Sequence, residues 1–196
     1  MNEISDIKSY AQKNDVPIMK DETQEFICNY IRDHNFTRIL EIGSAIGYSS
    51  IQFALVSENV KVTTIEIDID RYIRAVQNIK DFKLQDRITI YNQDALWMEM
   101  TGEFDLIFID AAKAQYIKFF EKYKNNLSPN GVIISDNLSF HGMVEDISLT
   151  HNYSTKKLVK KIRKYVDFLK TNTEFKTEFF PTGDGISVSR RNSSVQ

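Results

Sequence analysis

The sequence has little cysteine, proline or glycine. Its 196 residues include one cysteine, Cys28, three prolines and seven glycines. A single cysteine excludes an internal disulfide and a zinc site built from several cysteines. Because disulfides are typical of oxidising compartments, we expect a reducing one, and hence a cytoplasmic protein. An ordinary balance of 42% hydrophobic and 27% charged residues also excludes disordered, collagen-like and coiled-coil chains.

Long apolar runs are absent as well. No run approaches the roughly 20 residues of a membrane-spanning helix. The opening residues, MNEISDIKSYAQKND, are polar and lack the apolar centre of a secretory signal. We therefore expect no membrane partner. The length agrees with one domain, which typically takes about 100–200 residues.

Charge is divided unevenly between two parts of the chain. The whole sequence has 25 basic and 27 acidic residues, a net charge of −2. Residues 155–196 contain 10 of the basic and 4 of the acidic side chains, which leaves 15 and 23 for residues 1–154. A basic C-terminal quarter suits a polyanionic partner, but a solvated helix face would have the same composition.

Short apolar segments alternate with helical periodicity along most of the chain. The strands predicted in this way are Arg38–Ile42, Lys61–Ile65, Ile88–Tyr91, Phe104–Ile109 and Val132–Ser135. The predicted helices are Asp21–His34, Ser49–Val56, Ile69–Phe82, Tyr116–Asn126 and Thr155–Thr171. This alternation predicts an α/β fold with a parallel sheet covered on both faces. Two final strands, Phe175–Phe180 and Ile186–Arg190, predict a hairpin at one edge.

The segment LEIGSAIGYSS joins the first predicted strand to a helix. Gly43 and Gly47 would let the backbone turn tightly and approach a ligand at the helix N-terminus. The dinucleotide fingerprint needs G-x-G-x-x-G, and Ala45 stands where its second glycine belongs, so a nicotinamide cofactor is disfavoured. Glu41 at the strand end would repel a pyrophosphate and suit an ammonium or sulfonium group. A tight turn without any ligand is the alternative.

Acidic residues also end the next two strands. Glu66 lies 19 residues after the second glycine of the turn, near the ~20 expected for an acid that binds ribose hydroxyls. Its alternative role is to cap the following helix, which Asp68 and Asp70 would do better. Asp94 could accept a hydrogen bond from an adenine amino group beside the Ala95 amide. Together these residues predict an adenosine site at the carboxyl ends of the strands.

A third set of polar residues follows the fourth and fifth strands. Asp110 and Lys113 come from FIDAAKAQY, and Asp136 and Asn137 come from IISDN. Three hard oxygen ligands suit Mg²⁺, or Mn²⁺ equally well. Lys113 could serve as a base, since burial and a nearby cation lower the pKa of an ammonium group. An ordinary ion pair between Asp110 and Lys113 is the alternative, although it leaves the other two residues unexplained.

These motifs resemble those of the cation-dependent O-methyltransferases of the class I S-adenosylmethionine fold, a family that includes catechol and caffeoyl-CoA methyltransferases. The resemblance extends from about Val16 to Arg191, and the family's own first motif lacks the middle glycine. It implies a Rossmann-like class I methyltransferase fold. That fold is a seven-stranded, mostly parallel sheet with an antiparallel C-terminal hairpin strand and helices on both faces. The resemblance also implies a homodimer.

The resemblance assigns roles to particular residues. Lys113 would be the general base, and Asp110 would lie near the cofactor amine as well as on the metal. Met19 would lie in an N-terminal segment that covers the S-adenosylmethionine. Two other residues would shape its methionine pocket, one would hold its carboxylate, and the rest would bind ribose, adenine or the amine. The implied cofactor residues are Met19, Glu41, Gly43, Ser49, Glu66, Asp94, Ala95 and Asp110. The implied metal ligands are Asp110, Asp136 and Asn137.

We therefore expect a single methyltransferase domain over residues 1–196. Its parts would be an N-terminal helical cap over the cofactor at 1–35, a nucleotide-binding core at 36–137, and a basic helix plus hairpin at 155–191. Three side chains near the predicted metal site, Tyr116, Phe140 and His141, are candidates for the wall of an acceptor pocket. An ordinary loop histidine is the alternative for His141. Trp97 is expected in the core.

Within the family, the sequence is most similar to the bacterial tRNA 5-hydroxyuridine methyltransferases, which make 5-methoxyuridine at the wobble position. The similar segments are DAAKAQYIKFFE, ISDNLSFHG and FFPTGDGISVSRR. The anticodon loop of tRNA is therefore the expected partner, and a small-molecule catechol-type acceptor is the alternative. In the C-terminal helix, an apolar stripe of Leu158, Ile162, Val166 and Leu169 predicts the core face. The candidate nucleic-acid contacts on another face are Lys157, Lys160, Lys161 and Lys164.

Overall fold

The computed structural model describes residues 3–192, which fall into two compact units, one ending at Glu99 and one beginning at Met100. The first unit contains four helices and three strands. Its helices are α1 (Ile4–Lys13), α2 (Asp21–Asp33), α3 (Tyr48–Leu55) and α4 (Ile69–Asp81). Its strands are β1 (Arg38–Ile42), β2 (Lys61–Glu66) and β3 (Ile88–Asn92).

The second unit contains two helices and four strands, with 3₁₀ turns at Lys113–Gln115, Lys124–Asn126 and Ile147–Leu149. Its helices are α5 (Tyr116–Tyr123) and α6 (Tyr153–Thr171). Its strands are β4 (Phe104–Ile109), β5 (Leu127–Ser135), β6 (Phe175–Phe180) and β7 (Ile186–Arg191). Among the described residues, no helix is both long and apolar enough to cross a membrane.

Strand pairing matches the predicted topology. In the first unit, β2 lies between β1 and β3, and both pairs are parallel. In the second unit, β5 is parallel to β4 and antiparallel to β7, and β7 is antiparallel to β6. The result is a seven-stranded mixed sheet in which β7 is antiparallel to both of its neighbours, β5 and β6, which confirms the predicted fold class.

Two elements differ from the sequence-based expectation. Helix α1 lies within the predicted helical cap, but its bounds were not predicted, because only Ile7 and Ala11 of its side chains are buried and its apolar stripe is short. Its start carries a capping box in which Glu3 and Asp6 satisfy each other's backbone N–H groups. Strand β5 begins at Leu127 instead of Val132, since the apolar run that signals it starts only after an irregular stretch of pairing with β4.

The buried face of α6 is rotated by one position from the predicted stripe. Val159 and Tyr165 are fully buried together with Ile162 and Leu169, whereas Leu158 and Val166 are only half-buried. The Tyr165 hydroxyl lies 2.7 Å from the Ser135 hydroxyl, and this hydrogen bond satisfies a polar group that burial would otherwise penalise. The predicted core stripe is therefore wrong at two of its four positions.

An aromatic cluster joins α5, α6 and β6 in the second unit. The Phe120 ring is edge-on to Tyr165, Phe168 and Phe175, at centroid distances of 6.4, 5.3 and 5.0 Å. This arrangement matches the electrostatic preference of aromatic rings and adds to the hydrophobic gain of burial. Phe120 and Phe175 are among the largest fully buried side chains of the described residues.

We predict that Phe120→Ala lowers the free energy of unfolding by about 3–5 kcal/mol, because it leaves a cavity among three other rings. Phe179→Ala is the matched control, since Phe179 on β6 is 40% exposed. Its loss should stay near about 0.5 kcal/mol. Urea titration followed by circular dichroism measures both. Equal losses in the two variants would mean that the cluster is not a main source of stability.

Candidate active site

The turn between β1 and α3 is built around left-handed backbone. Gly43, Ala45 and Gly47 have φ angles of 96°, 46° and 80°. A Cβ on Gly47 would lie 3.4 Å from the Cβ of Ala75 on α4, which is an ordinary contact, so it is the left-handed backbone that favours glycine there. Gly47 is the N-cap residue of α3, and the turn therefore directs free backbone N–H groups of that helix away from the strand.

Glu41 is completely buried at the end of β1. Its carboxylate accepts hydrogen bonds from the hydroxyls of Ser49, Ser50 and Thr64, the last at 2.7 Å. Three donors compensate for much of the desolvation cost of the charge. The Ser49 hydroxyl thus has a protein partner, whereas the sequence predicted that it would bind the cofactor carboxylate. The cofactor roles of Glu41, Gly43 and Ser49 remain predictions.

Glu66 lies at the end of β2 and is almost fully buried. One carboxylate oxygen accepts the Ala45 N–H at 2.8 Å, and the other accepts the Asp68 N–H at 2.9 Å. Burial raises the pKa of this carboxyl, and the two backbone hydrogen bonds partly oppose that rise. Each oxygen keeps a lone pair beyond its N–H partner, so the group can accept hydrogen bonds from two neighbouring hydroxyls.

Asp94 follows β3 and lies close to Glu66 along the strand ends. The Gln93 N–H donates to the Glu66 carbonyl at 3.1 Å, which joins the two strands beyond their regular pairing. Asp94 is half-buried, and one of its oxygens accepts the Leu96 N–H at 2.8 Å in a tight turn. Ala95 is buried in that turn. The first unit therefore brings Glu66, Asp94 and Ala95 together as the sequence predicted.

Several large apolar side chains in the described part of the first unit are exposed, and Ile67 and Trp97 are the most exposed of them. Ile67 follows Glu66 directly and is 67% exposed, and Trp97 is 78% exposed. The prediction that Trp97 belongs to the core is wrong. A planar nucleobase binds where apolar surface lies beside hydrogen-bond acceptors, since the base stacks on the apolar surface and donates to the acceptors. Sequence reasoning missed Ile67, although its place one residue after a candidate ribose acceptor was a usable signal. Met19, between α1 and α2, is buried.

The second unit brings the four predicted metal-site and base residues together. The Lys113 Nζ lies 3.8 Å from an Asp110 oxygen, and the Asn137 N–H donates to Asp136 at 2.6 Å. Burial and the negative charge of Asp110 raise the pKa of Asp136 to about 7, against opposition from the Asn137 N–H and from Lys113. Burial also raises the pKa of Asp110, and the Lys113 ammonium opposes that rise.

This cluster suits a divalent cation. The buried Asp136 carboxylate and the partly exposed Asp110 carboxylate repel each other, and the ammonium group of Lys113 compensates for only part of their charge. Carboxylate and amide oxygens are the ligands that Mg²⁺ accepts. The described residues contain no group of three or more His, Cys, Asp and Glu arranged for a metal. The third candidate ligand of this set, Asn137, is an amide. The chemistry of the donors fits the ion, whose presence remains a prediction.

Two of the predicted pocket-wall residues differ in their surroundings. Tyr116 is buried, and its hydroxyl donates to the Asp136 carbonyl at 3.2 Å. It therefore supports the backbone at the end of β5, and its assignment to the wall of a pocket is wrong. The His141 side chain is 62% exposed and stays available for an acceptor.

The family model described as O-methyltransferase matches residues 1–192. The chain belongs to the O-methyltransferase family. The predicted enzyme class is thereby confirmed.

Two curated relatives illustrate the range of this family. A catechol O-methyltransferase from Niastella koreensis is 32% identical over 142 residues, which cover 69% of this chain and 62% of the relative. A caffeoyl-CoA O-methyltransferase from Populus kitakamiensis is 25% identical over 193 residues, which cover 94% of this chain and 82% of the relative.

Solved structures of other O-methyltransferases have the same fold. A Staphylococcus aureus protein assigned to the caffeoyl-CoA O-methyltransferases superposes with a TM-score of 0.93 at 37% identity, over 98% of this chain and 93% of that one. The Bacillus cereus O-methyltransferase in complex with SAH superposes with a TM-score of 0.82 at 24% identity, over 96% and 90% of the two chains.

We predict that Asp136→Asn stabilises the O-methyltransferase when EDTA removes divalent ions. The pKa of about 7 in the folded protein lies above the unfolded value of 3.8, so the free energy of unfolding falls between about pH 4 and pH 7 and then stays at its lower level. Near pH 8 the free energy of unfolding of Asp136→Asn should exceed that of the wild-type protein by about 1–3 kcal/mol, since the substitution removes a buried charge that Asp110 repels. Millimolar Mg²⁺ should stabilise the wild-type protein and leave the variant unchanged.

Asp167→Asn is the matched control for this measurement, because Asp167 is an exposed acid on α6. Its stability should change by less than about 0.5 kcal/mol in either condition. Denaturant titrations with EDTA or Mg²⁺ measure all three proteins. The assignment of a cation site would be contradicted if Asp136→Asn were less stable than the wild-type protein in EDTA. It would also be contradicted if Mg²⁺ did not change the stability of the wild-type protein.

Proposed function

We propose that this O-methyltransferase uses S-adenosylmethionine and a divalent cation, Mg²⁺ or Mn²⁺, to methylate one of two adjacent oxygens on its acceptor. We further propose that the acceptor is 5-hydroxyuridine at the tRNA wobble position, which would become 5-methoxyuridine. The observation that carries the proposal is the cluster of Asp110, Asp136, Asn137 and Lys113, which joins oxygen ligands to a base within one unit.

The first unit supports the cofactor assignment. Glu66 would accept the ribose hydroxyls, Asp94 the adenine amino group, and Ile67 would offer an apolar face to the base. The bound cofactor would supply an electrophilic methyl group on a sulfonium centre. Structural neighbours that hold this cofactor or its product include TomG from Streptomyces achromogenes in complex with SAM and the Bacillus cereus enzyme in complex with SAH.

The second unit supports the acid–base chemistry. Asp110, Asp136 and Asn137 would hold the cation, which supplies positive charge that favours the ionised form of a neighbouring hydroxyl. Lys113, as a neutral amine, would take the proton from the acceptor hydroxyl at its Nζ atom and become an ammonium group. The Asp110 carboxylate, 3.8 Å from that atom, would keep the lysine side chain beside the acceptor. Holding both reactants in line would provide most of the acceleration.

The basic helix supports tRNA as the acceptor. Lys157, Lys160, Lys161 and Lys164 are all exposed on α6, while the opposite face is buried. The Lys157 ammonium lies 4.5 Å from the ring centroid of Tyr153, an exposed aromatic residue at the start of the same helix. Exposed cations beside an aromatic ring suit a phosphate backbone with unpaired bases. A wobble nucleotide lies in a single-stranded loop, from which its base can swing out.

A small catechol-type molecule is the second candidate acceptor. The names of the Niastella koreensis and Populus kitakamiensis relatives favour it. A catechol presents two vicinal oxygens, as the 5-hydroxyl and 4-keto oxygens of 5-hydroxyuridine do. The same cation and base could therefore act on either acceptor, and the basic helix would then be only a solvated face.

Methyl-labelled S-adenosylmethionine separates these acceptors. We expect label in 5-methoxyuridine when tRNA that carries 5-hydroxyuridine is supplied with Mg²⁺, and none with EDTA. Lys113→Ala should reduce the rate about 100-fold or more, because it removes the general base. Lys118→Ala is the control, since Lys118 is an exposed lysine on the following helix. Label in a catechol alone would favour the small-molecule candidate, and label in neither would contradict both.

The basic face has its own test. Replacing Lys160 and Lys164 together by Gln should raise the KM for tRNA about three- to tenfold and reduce the salt dependence of binding by about one to two logarithmic units per decade. Catechol turnover should not change. The control is the same exchange at Lys61 and Lys80, two exposed lysines of the first unit, which removes equal charge. Equal effects of both pairs would show that charge alone matters, and not this face.

A further inference from the structure

The loop that follows β5 contains an unusual run of left-handed backbone. Asn137, Phe140 and His141 have φ angles of 63°, 47° and 58°. Side chains other than glycine disfavour this region, and phenylalanine more than asparagine. Such conformations persist only where the surrounding structure holds them in place. The loop therefore needs an anchor outside its own residues.

Asp184 provides that anchor from the turn between β6 and β7. Its side chain is 9% exposed, one carboxylate oxygen accepts the His141 N–H at 2.7 Å, and its backbone carbonyl accepts the Ser139 N–H at 2.8 Å. The other carboxylate oxygen lies 3.5 Å from the His141 Nδ1. One residue thus holds two backbone N–H groups of the loop and lies beside the ring of His141.

The next residue of the turn brings it into close contact with the loop. The Gly185 carbonyl accepts the Leu138 N–H at 2.9 Å. A Cβ on Gly185 would lie 2.8 Å from the Ser139 backbone nitrogen, a distance that real Cβ atoms do not reach. Its φ angle of 85° also favours glycine. Because the backbones of the turn and the loop are already in contact, the loop cannot relax toward the turn.

We propose that Asp184 is a positioning residue that holds the Asn137–His141 loop in its strained form. Through the loop backbone it fixes the amide of Asn137 for the cation, and through His141 it orients an imidazole for the acceptor. The assignment of the cation and the acceptor rests on the proposed function. The clamp itself rests on the hydrogen bonds between the turn and the loop.

Binding of Mn²⁺, measured by electron paramagnetic resonance, tests the proposal without any turnover. Asp184→Ala should weaken Mn²⁺ binding about tenfold, because the loop loses a hydrogen bond to a charged acceptor. S-adenosylmethionine affinity, measured by calorimetry, should stay within twofold. Asp184→Asn should restore Mn²⁺ affinity to within about threefold, since its amide oxygen can still accept the His141 N–H. His141→Ala should leave Mn²⁺ binding unchanged and raise the KM of the acceptor without lowering kcat.

A second pair of variants covers the case in which Asp184→Ala does not fold. Gly185→Ala and Gly102→Ala introduce the same Cβ at φ angles of 85° and 87°, but nothing lies within 4 Å of the second. Gly185→Ala should weaken Mn²⁺ binding as Asp184→Ala does, and Gly102→Ala should not. Equal effects of the two glycine variants would overturn the proposal.

Hydrogen exchange distinguishes failure of the clamp from failure of the proposed function. The Ser139 and His141 amides should exchange at least tenfold faster in Asp184→Ala than in the wild-type protein. Faster exchange with no Mn²⁺ binding in the wild-type protein would support the clamp and contradict the cation. Unchanged exchange at both amides, or wild-type Mn²⁺ affinity in Asp184→Ala, would overturn the positioning role. An equal loss of Mn²⁺ and cofactor affinity would also overturn it, because the residue would then be merely structural.

Discussion

Burial of carboxylates where strands end is the constraint on which the rest of this structure depends. Each of these acids loses water when the sheet forms, and the protein compensates for the loss to different degrees. Glu41 accepts three hydroxyl hydrogen bonds, Glu66 accepts two backbone N–H groups, and Asp136 accepts one while Asp110 repels it. The desolvation cost is compensated most at Glu41, which supports the structure, less at Glu66 in the candidate cofactor site, and least at Asp136 in the candidate cation site. The least satisfied acid is the one that a ligand would stabilise most.

The sheet and most of the candidate site could be predicted from the sequence because both depend on local signals. A strand buried on both faces is an unbroken apolar run, and the polar residue that ends it marks the edge of the sheet. Glu66, Asp110 and Asp136 occupy such positions, and each lies at the strand end that the apolar run predicted.

What the sequence could not provide depends on partners far along the chain. The hydrogen bond from Thr64 to Glu41 joins residues of two different strands, so no sequence spacing predicts it. Tyr165 on the buried face of α6 pairs its hydroxyl with that of Ser135, 30 residues away, and no pattern within the helix predicts this contact. The exposure of Trp97 depends on a turn that Asp94 caps, and an aromatic residue in a short apolar stretch gives no sign of it.

The reversed direction of β7 explains why a clamp on the candidate site comes from the C-terminal hairpin. Ser135 at the end of β5 pairs with Ser187 near the start of β7, because the two strands are antiparallel. The turn that precedes β7 must therefore lie beside the loop that follows β5. A parallel strand at this edge would instead have placed its carboxyl end beside that loop, and its connection to β5 would have been a crossover. The hairpin thus closes one side of the sheet and, with Asp184 and Gly185, sets the backbone that carries Asn137.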